Sequence, residues 1–406
     1  MVISLRNLDQ QESGTMAKIF PFATSTIAIA LAFMLPPVQA GAHHHVHNKW
    51  ANYLFVPNRE SNDVAVIDTR SDTLIARVPV GATPHQVTLA PTLGKLAVTN
   101  SADDTLSIID LESMQTNATL TLGNTPEHMQ LHPEGEILAV GNIEGGTISL
   151  VSLREEVELH RIAGLHEPHN MTFSPDGKSL YVGNLGANFL SVIDVESAKL
   201  TKRLPVGSGR ATASLGASNE HQGIIDVTAS PDGSLGFAAF GDGDALGVFD
   251  LGTGEQITSR PTGDLPWRAY PSANGAYMIV PNNGDRTVSI FEAGAPFEEV
   301  ARVEGAEDMT GVNTSRDTAF VIARGGEEIV IIDLENLETI DTIALPSASP
   351  ETGVLTPDGK KLYVALSGAD AVAVIDVERR EMSKRIEDVG MGPWGAFLLG
   401  ADNYCH

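Results

Sequence analysis

The sequence predicts an all-β fold, an eight-bladed β-propeller with four antiparallel strands in each blade. Three observations support this prediction. A segment of about 42 residues recurs along the chain, and a fixed period in this range is typical of solenoids and propellers. Each copy holds short apolar runs separated by turn residues, the pattern of four short strands. No helical periodicity competes with it beyond residue 52.

Two motifs mark the middle strands of each repeat. The first is an apolar strand, clearest where it ends in asparagine, and the second is an alternating strand that ends in aspartate. Copies of the first begin at Tyr53, Leu96, Leu138 and Leu180, with weaker copies at Gly236, Tyr277, Phe320 and Leu362. Copies of the second end at Asp68, Asp110, Asp194, Asp333 and Asp376.

The remaining strands explain how the ring closes. The strand predicted to be innermost opens with proline, as in Pro84-His-Gln-Val, and it closes at turns such as Pro175-Asp-Gly177. Proline presets one dihedral of such a turn and glycine takes the positive φ. The chain begins with the second strand of a blade and ends with a first strand, Pro393–Leu399. Pairing of this last segment with Tyr53–Val80 would complete blade one and leave no open edge.

The motifs resemble the YVTN family of β-propeller repeats, whose consensus has a Leu-Tyr-Val-Thr-Asn strand, a Val-Ile-Asp strand and a Pro-His-Gly strand. The resemblance covers about Tyr53 to Leu399. In blade count and strand style the chain is also similar to the haem-binding propeller of periplasmic cytochrome-type nitrite reductases, without a shared ligand motif. The resemblance implies the fold but no single function, because one scaffold carries many activities.

Composition limits the classes of partner. The chain has 52 acidic and 26 basic residues and a formal net charge of −26. Such a surface repels phosphate backbones, so we expect no nucleic-acid binding. Cys405 is the one cysteine, which excludes an internal disulfide. We expect a monomer.

The first residues have the features of a secretory signal. Lys18 precedes an apolar run that ends at Leu35, and the small-residue site Val38-Gln-Ala40 follows. We therefore predict a signal peptide over residues 1–40, with translation starting at Met16, and export to a bacterial periplasm without a membrane span after cleavage. An uncleaved anchor is the alternative. A His-rich tail (41–52), one propeller domain (53–400) and a C-terminal tail (401–406) are predicted to follow.

Polar residues at the start of the innermost strands are predicted to ring one mouth of the central channel. Residues that follow the first proline of each innermost strand share a rim, and polar groups in an apolar scaffold suit a ligand site. The insertion Ser208–Gln222 is expected at the same rim. The predicted ligand-binding residues are His85, His128, His169, His221, Trp267, Arg268, Glu351 and Trp394, with Glu127, Asp226 and Glu307 or Asp308 at the same repeat positions. The alternative to a ligand site is that the histidine after proline is simply part of the repeat consensus and caps its strand through a backbone hydrogen bond.

Two further groups of residues are candidate metal ligands. Cleavage after Ala40 leaves Gly41-Ala-His43 as the new amino terminus, whose amine, two amides and imidazole can wrap Cu(II) or Ni(II) in a square-planar set of nitrogens. Cleavage after Ala42 would instead leave His43 as the terminal residue. At the other end of the chain, a thiolate with imidazoles suits Cu(I) or Zn(II). Solvated tails without bound metal are the alternative. The predicted metal ligands are His43, His44, His45, His47, Cys405 and His406.

Three classes of function remain open. The first is a non-catalytic binding or scaffold protein that holds a small ligand or a protein partner at the channel mouth. The second is a protein that handles Cu, Zn or Ni or carries a cofactor of unknown identity. The third is an oxidoreductase or a hydrolase similar to the lactonase propellers, with Glu127, His128 and Arg268 at the mouth. The chain has no Cys-x-x-Cys-His sequence, which excludes covalently attached c-type haem.

Overall fold

The computed structural model describes residues 50–207, 210–213 and 222–404. Within these residues the strands form eight antiparallel sheets, and each sheet contains four strands hydrogen-bonded side by side. The prediction of an eight-bladed, all-β propeller is therefore confirmed. The helices in these residues are single 3-10 turns at Gly241–Gly243 and Ser367–Ala369. No helix in the described ranges is long and apolar enough to cross a membrane.

The first half of the ring contains blades one to four. Blade one holds β1 (Tyr53–Asn58), β2 (Asp63–Asp68) and β3 (Thr73–Pro79); blade two β4 (Pro84–Ala90), β5 (Lys95–Asn100), β6 (Thr105–Asp110) and β7 (Gln115–Thr121); blade three β8 (Pro126–Leu131), β9 (Ile137–Asn142), β10 (Thr147–Ser152) and β11 (Val157–Ala163); and blade four β12 (Pro168–Phe173), β13 (Ser179–Leu185), β14 (Phe189–Asp194) and β15 (Lys199–Pro205). The short β16 (Gly223–Ile224) adds to blade four by pairing with β13.

The second half of the ring contains blades five to eight and the closing strand. Blade five holds β17 (Thr228–Ala229), β18 (Leu235–Phe240), β19 (Ala245–Asp250) and β20 (Glu255–Pro261); blade six β21 (Tyr270–Pro271), β22 (Tyr277–Asn282), β23 (Thr287–Glu292) and β24 (Glu299–Glu304); blade seven β25 (Met309–Thr314), β26 (Thr318–Ala323), β27 (Glu328–Asp333) and β28 (Glu338–Ala344); and blade eight β29 (Pro350–Leu355), β30 (Lys361–Leu366), β31 (Ala371–Asp376) and β32 (Glu381–Ile386). The closing strand is β33 (Phe397–Leu398).

The two ends of the repeat region share blade one, as the offset of the repeats predicts. Phe397 and Leu398 of β33 pair antiparallel with β1 and so supply the innermost strand of that blade. Phe397 is fully buried between blades one and two. The closed sheet leaves β1 without an exposed edge, which protects it from pairing with another chain.

The core lies between neighbouring blades and follows the alternation of each strand. In β1, Phe55 packs with Val87 and Leu96 of blade two. Its sequence neighbour Leu54 packs on the other face, with Tyr363 of blade eight. Successive side chains of a strand point to opposite faces, so one β1 strand joins two interblade cores.

A buried asparagine secures the hairpin between the second and third strands of several blades. Asn142 is fully buried, and its Nδ2 donates to Thr147 Oγ1 and Ser149 Oγ at 2.9 Å each. Asn100 in blade two bonds in the same way across β5 and β6. The asparagine that ends the repeat motif therefore bonds to polar side chains five and seven residues later in the chain.

Replacing Asn142 by alanine is expected to lower the free energy of unfolding by about 2 kcal/mol, because a buried hydrogen-bonding group is lost and two hydroxyls lose their donor. Asn117, exposed on the outer strand β7, provides a matched control. The free energy of unfolding of Asn117→Ala is expected to lie within about 0.5 kcal/mol of that of the unchanged protein. Chemical denaturation followed by circular dichroism measures both variants. Equal stabilities of the two would contradict the role given to Asn142.

Candidate ligand site at the channel mouth

The innermost strands of blades two, three and four begin with an interrupted ladder. In β4 the pairing with β5 jumps from Pro84 to Val87, and the same interruption follows the first proline of β8 and β12. Such irregularities bend a strand and redirect side chains, and they are frequent beside functional sites. The residues directly after each proline are those that the sequence places at the mouth.

These residues form one cluster, which we call the mouth cluster: His85, Glu127, His128 and His169. Nε2 of His128 lies 2.9 Å from Nε2 of His169. The ring of His85 meets the ring of His128 edge to face, with centroids 5.0 Å apart. Glu127 Oε2 lies 3.7 Å from His85 Nε2 and 3.9 Å from His128 Nε2. Of the predicted ligand-binding residues, His128 therefore contacts both His85 and His169.

Hydrogen bonds determine the tautomer of His169. Its Nδ1 lies 3.1 Å from the carbonyl oxygen of Ile225, so Nδ1 carries the hydrogen and donates. Nε2 of His169 then has the lone pair and accepts from Nε2 of His128. Burial lowers the pKa of His169 to about 4, which keeps the ring neutral near neutral pH.

Glu127 links the buried imidazoles to the surface. Burial raises the pKa of Glu127 to about 7; the charge of Arg59 opposes this rise and that of Glu144 adds to it. Glu127, Arg59 and Glu144 also line an open cavity of about 490 Å³. Glu127 is therefore the member of the mouth cluster that lines this cavity.

Trp394 and Arg59 cover the cluster from the side of blade one. Trp394 Nε1 donates to His85 Nε2 over 3.1 Å. The guanidinium carbon of Arg59 lies 4.1 Å from the centre of the Trp394 ring, a cation–π contact. Trp394, predicted at the mouth, thus orients His85 and supports the cation that lines the cavity.

The charged residues of blades five and six neutralise each other below the mouth. Arg268 Nε lies 2.5 Å from Asp226 Oδ2, and both side chains are buried. Burial raises the pKa of Asp226, and the positive charge of Arg268 opposes that rise. Trp267, beside Arg268, is also buried. Of the set predicted for lactonase-type chemistry, Glu127 and His128 are neighbours, whereas Arg268 is held by Asp226.

A second ion-paired group closes the ring at blades seven and eight. Arg324 contacts Asp308 at 2.7 Å and Glu351 at 3.4 Å. Ser367 Oγ donates to Glu351 Oε1 over 2.5 Å, and burial raises the pKa of Glu351. Asp308, which is half-buried, therefore joins the ring of mouth residues rather than its exposed neighbour Glu307. Imidazoles cluster in one half of the mouth and ion pairs in the other.

The segment after β33 contacts the inside of the channel at the end opposite the mouth. Tyr404 packs edge to face on Tyr270, and its ring centre lies 4.8 Å from the Arg268 guanidinium carbon. Residues from Leu399 to Tyr404 line an inner cavity of about 400 Å³ together with Asp226 and Arg268. No sequence pattern predicts this contact, since the tail carries no repeat motif.

Three further residues at the mouth were missed although a signal existed. Arg59 follows the last residue of β1, and Arg324 follows the last residue of β26. Ser367 has the equivalent position after β30. The turn after the second strand of a blade reaches the same rim as the start of the innermost strand, so this repeat position forms a second ring of mouth residues.

Several predicted residues lie outside the described ranges. Residues 208–209 and 214–221, which include His221, are among them, although Arg210–Ala213 and Gln222 of the insertion are described. The predicted metal ligands His43, His44, His45, His47, Cys405 and His406 also lie outside.

The fold and the mouth define the class of this chain, a closed repeat propeller with a polar channel mouth. A family model described as YNCE-like beta-propeller matches residues 90–403. The chain belongs to the YNCE-like beta-propeller family. The assignment to a β-propeller repeat family from its motifs is thus confirmed.

Individual proteins show more distant similarity. Protein NirF of Pseudomonas aeruginosa is 23% identical over 219 residues, which are 50% of this chain and 53% of NirF. The chain therefore spans about half the length of this curated relative. The structure of dihydro-heme d1 dehydrogenase NirN in complex with DHE matches with a TM-score of 0.71 at 18% identity, over 86% of this chain and 76% of NirN. Kuenenia stuttgartiensis hydrazine synthase matches with a TM-score of 0.53 at 21% identity, over 72% of this chain and 95% of that one. The structural matches show the shared fold.

Proposed function

We propose that this chain is an exported, non-catalytic binding protein that takes a small ligand at the channel mouth. The observation that carries the proposal is the mouth cluster, in which buried imidazoles converge with a carboxylate, Glu127, that lines a cavity open to solvent. Buried polar groups of this kind are costly to maintain, and convergent polar groups in a pocket are the usual mark of a ligand site.

Arg59 and Trp394 would select a ligand with a carboxylate and a flat ring system, in a cavity that Asp104, Glu127 and Glu144 also line. Arg59 supplies a positive charge at the cavity wall, and its guanidinium already lies on the indole of Trp394. The NirN structure is a complex with DHE, in a protein named a dihydro-heme d1 dehydrogenase. By analogy with that protein, we propose a tetrapyrrole with carboxylate side chains as the ligand class.

We favour binding over catalysis because the charged groups outside the mouth cluster are already bonded to each other. Asp226 and Arg268 form one buried ion pair, and Glu351, Arg324 and Asp308 form a second group. A lactonase-type site needs the arginine near the carboxylate and the imidazole. Here Arg268 is instead fixed between Asp226 and Tyr404.

Export and the domain limits are part of the proposal. A cleaved signal over residues 1–40, a His-rich tail over 41–52 and a single propeller over 53–400 would place the mouth in the periplasm. Mass spectrometry of the mature N-terminus tests this arrangement. A terminus at residue 41 or 43 supports it, and an uncleaved leader contradicts it.

Haemin and metal-free protoporphyrin are the probes for the proposed ligand class. Titration followed by absorbance and tryptophan fluorescence is expected to give one site per chain. Arg59→Ala is expected to weaken binding about tenfold, equivalent to about 1.4 kcal/mol, because the cavity loses its cation. Arg203→Ala is the matched control, since Arg203 also lies over an aromatic ring but on the outer strand β15. Failure of both probes to bind, or equal affinities of the two variants, would contradict the proposal.

A further inference from the structure

We propose that His85, Glu127, His128 and His169 bind one divalent transition-metal ion at the floor of the cavity. The ion would have three imidazole nitrogens and one carboxylate oxygen as ligands. The inference rests on the proposed function, because the ion would lie in the same channel mouth that is proposed to bind the small ligand.

The spacing of the donor atoms carries the proposal. Single donor atoms of His85, Glu127 and His128 all lie within 4.8 Å of one another. The closest pairs, 2.9 Å between the Nε2 atoms of His128 and His169 and 3.7 Å between Glu127 Oε2 and His85 Nε2, bracket the separation that one ion needs. With metal–ligand bonds near 2.05 Å, tetrahedral donors lie about 3.3 Å apart. Seating the ion on all four donors requires the largest movement of His169, because the group whose donor atoms all lie within 4.8 Å of one another contains His85, Glu127 and His128 but not His169.

The scaffold holds these donors in place before any ion arrives. Each imidazole comes from the innermost strand of a different blade, and the three blades are consecutive. The histidines are 3%, 0% and 7% exposed for His85, His128 and His169. Packed side chains on rigid strands lose little conformational entropy on binding, which is the requirement for a metal site.

The hydrogen bond from His169 Nδ1 to the Ile225 carbonyl is the outer-shell contact expected of a metal ligand. It directs the Nε2 lone pair of His169 into the cluster, as carbonyl oxygens do behind ligating histidines. His128 needs only a change of tautomer, with its hydrogen moved to Nδ1, to present a second lone pair. The contact between the two Nε2 atoms then gives way to two bonds to one ion.

Trp394 is the competitor that metal binding must displace. Its Nε1 donates to the His85 Nε2 lone pair, so coordination by that nitrogen requires the indole to move away. Trp394 is one of three tryptophans in the chain. Metal binding is therefore expected to change the tryptophan fluorescence, and a Trp394→Phe variant is expected to lose most of that change while it still binds the ion.

The donor set favours a small transition-metal ion. Imidazoles with one carboxylate suit Zn, Cu, Ni, Co or Fe, whereas Ca and Mg prefer all-oxygen sites. A metal ion inside a macrocycle has four coordination positions filled by the ring, which leaves at most two positions for ligands from the protein. Four converging protein donors therefore fit a bare ion.

Cobalt(II) is the probe for this site, because its visible absorption reports tetrahedral coordination directly. The background is the full chain with H43A, H44A, H45A, H47A and C405S, so that the predicted tail ligands contribute little. One equivalent of cobalt(II) per chain is expected to bind and to give intense visible absorption bands. Zinc is expected to displace the cobalt. H128A and E127Q are expected to weaken binding about a hundredfold.

His132→Ala is the matched control, because His132 is a buried histidine of blade three whose ring packs on Phe173 away from the mouth. Its affinity for cobalt should be unchanged. Circular dichroism shows whether each variant is folded, and E127Q keeps the test valid should H128A unfold. Absence of tetrahedral cobalt bands, or equal affinities in E127Q and the background protein, would overturn the inference.

Haemin titration of the same proteins separates the two proposals. Cobalt binding without haemin binding supports the ion site and rejects the proposed tetrapyrrole ligand. Haemin binding without cobalt binding leaves the proposed ligand intact and overturns the ion site.

Discussion

Deletion of residues 393–406 is expected to abolish cooperative folding of the propeller. The deletion removes β33, whose Phe397 and Leu398 are almost completely buried, and it exposes the edge of β1. Burial of two such side chains contributes about 3–6 kcal/mol, a large part of the 5–15 kcal/mol that stabilises an average domain. The open edge also provides a template for aggregation. Denaturant titration and size-exclusion chromatography measure both effects.

Deletion of residues 400–406 is the control for this experiment, because it keeps β33 and its pairing with β1. It removes Asn403, which bonds to the backbone of Leu398, and Tyr404, which packs on Tyr270. We expect this deletion to lower the free energy of unfolding by about 1–3 kcal/mol and to leave a single cooperative unfolding transition. A cooperative, monomeric product from the longer deletion would contradict closure of the ring by its two ends.

Arg268→Ala is expected to lower the free energy of unfolding by about 3–5 kcal/mol at neutral pH. The reason is that Asp226 stays buried without its partner, and an unpaired buried charge is far more costly than the loss of the pair itself. Thermal and denaturant unfolding of the single variant measure the loss. The double variant Asp226→Ala, Arg268→Ala is expected to be more stable than Arg268→Ala alone.

The pH dependence of the Arg268→Ala variant follows from the same carboxyl group. Burial already raises the pKa of Asp226, and removal of the cation that opposes this rise moves the pKa further up. A carboxyl whose pKa is higher in the folded protein than in the unfolded chain favours folding at low pH, and that contribution is lost as pH rises through the folded pKa. The stability deficit of the variant should therefore be smaller near about pH 5 than near about pH 8. A deficit independent of pH would contradict an unpaired Asp226.

The fold was predictable because the repeat is local and redundant. Each asparagine and aspartate of the motifs bonds within its own hairpin, as Asn142 does with Thr147 and Asp110 does with Ser113. Such contacts lie a few residues apart, so the sequence records them in related form in several of the repeats. Closure by β33 was predictable for the same reason, since a lone first strand at the end of the chain lacks a blade of its own.

The mouth was only partly predictable, because it joins residues from different blades. The proline positions indicated His85, His128 and His169, but not that the Nε2 atoms of two of them would meet. Arg59 and Arg324 belong to another repeat position, and Tyr404 belongs to a tail without a repeat. Contacts of this kind depend on the rotation between blades, which a one-dimensional pattern does not encode.

We propose that the mouth cluster is a ligand site with a metal ion at its floor. Diffraction from crystals of the full chain grown with cobalt(II), recorded at the cobalt absorption edge, tests it most directly. An anomalous peak is expected about 2.1 Å from Nε2 of both His128 and His169, beneath Glu127. No peak at the mouth, or peaks confined to residues 43–47, would contradict it.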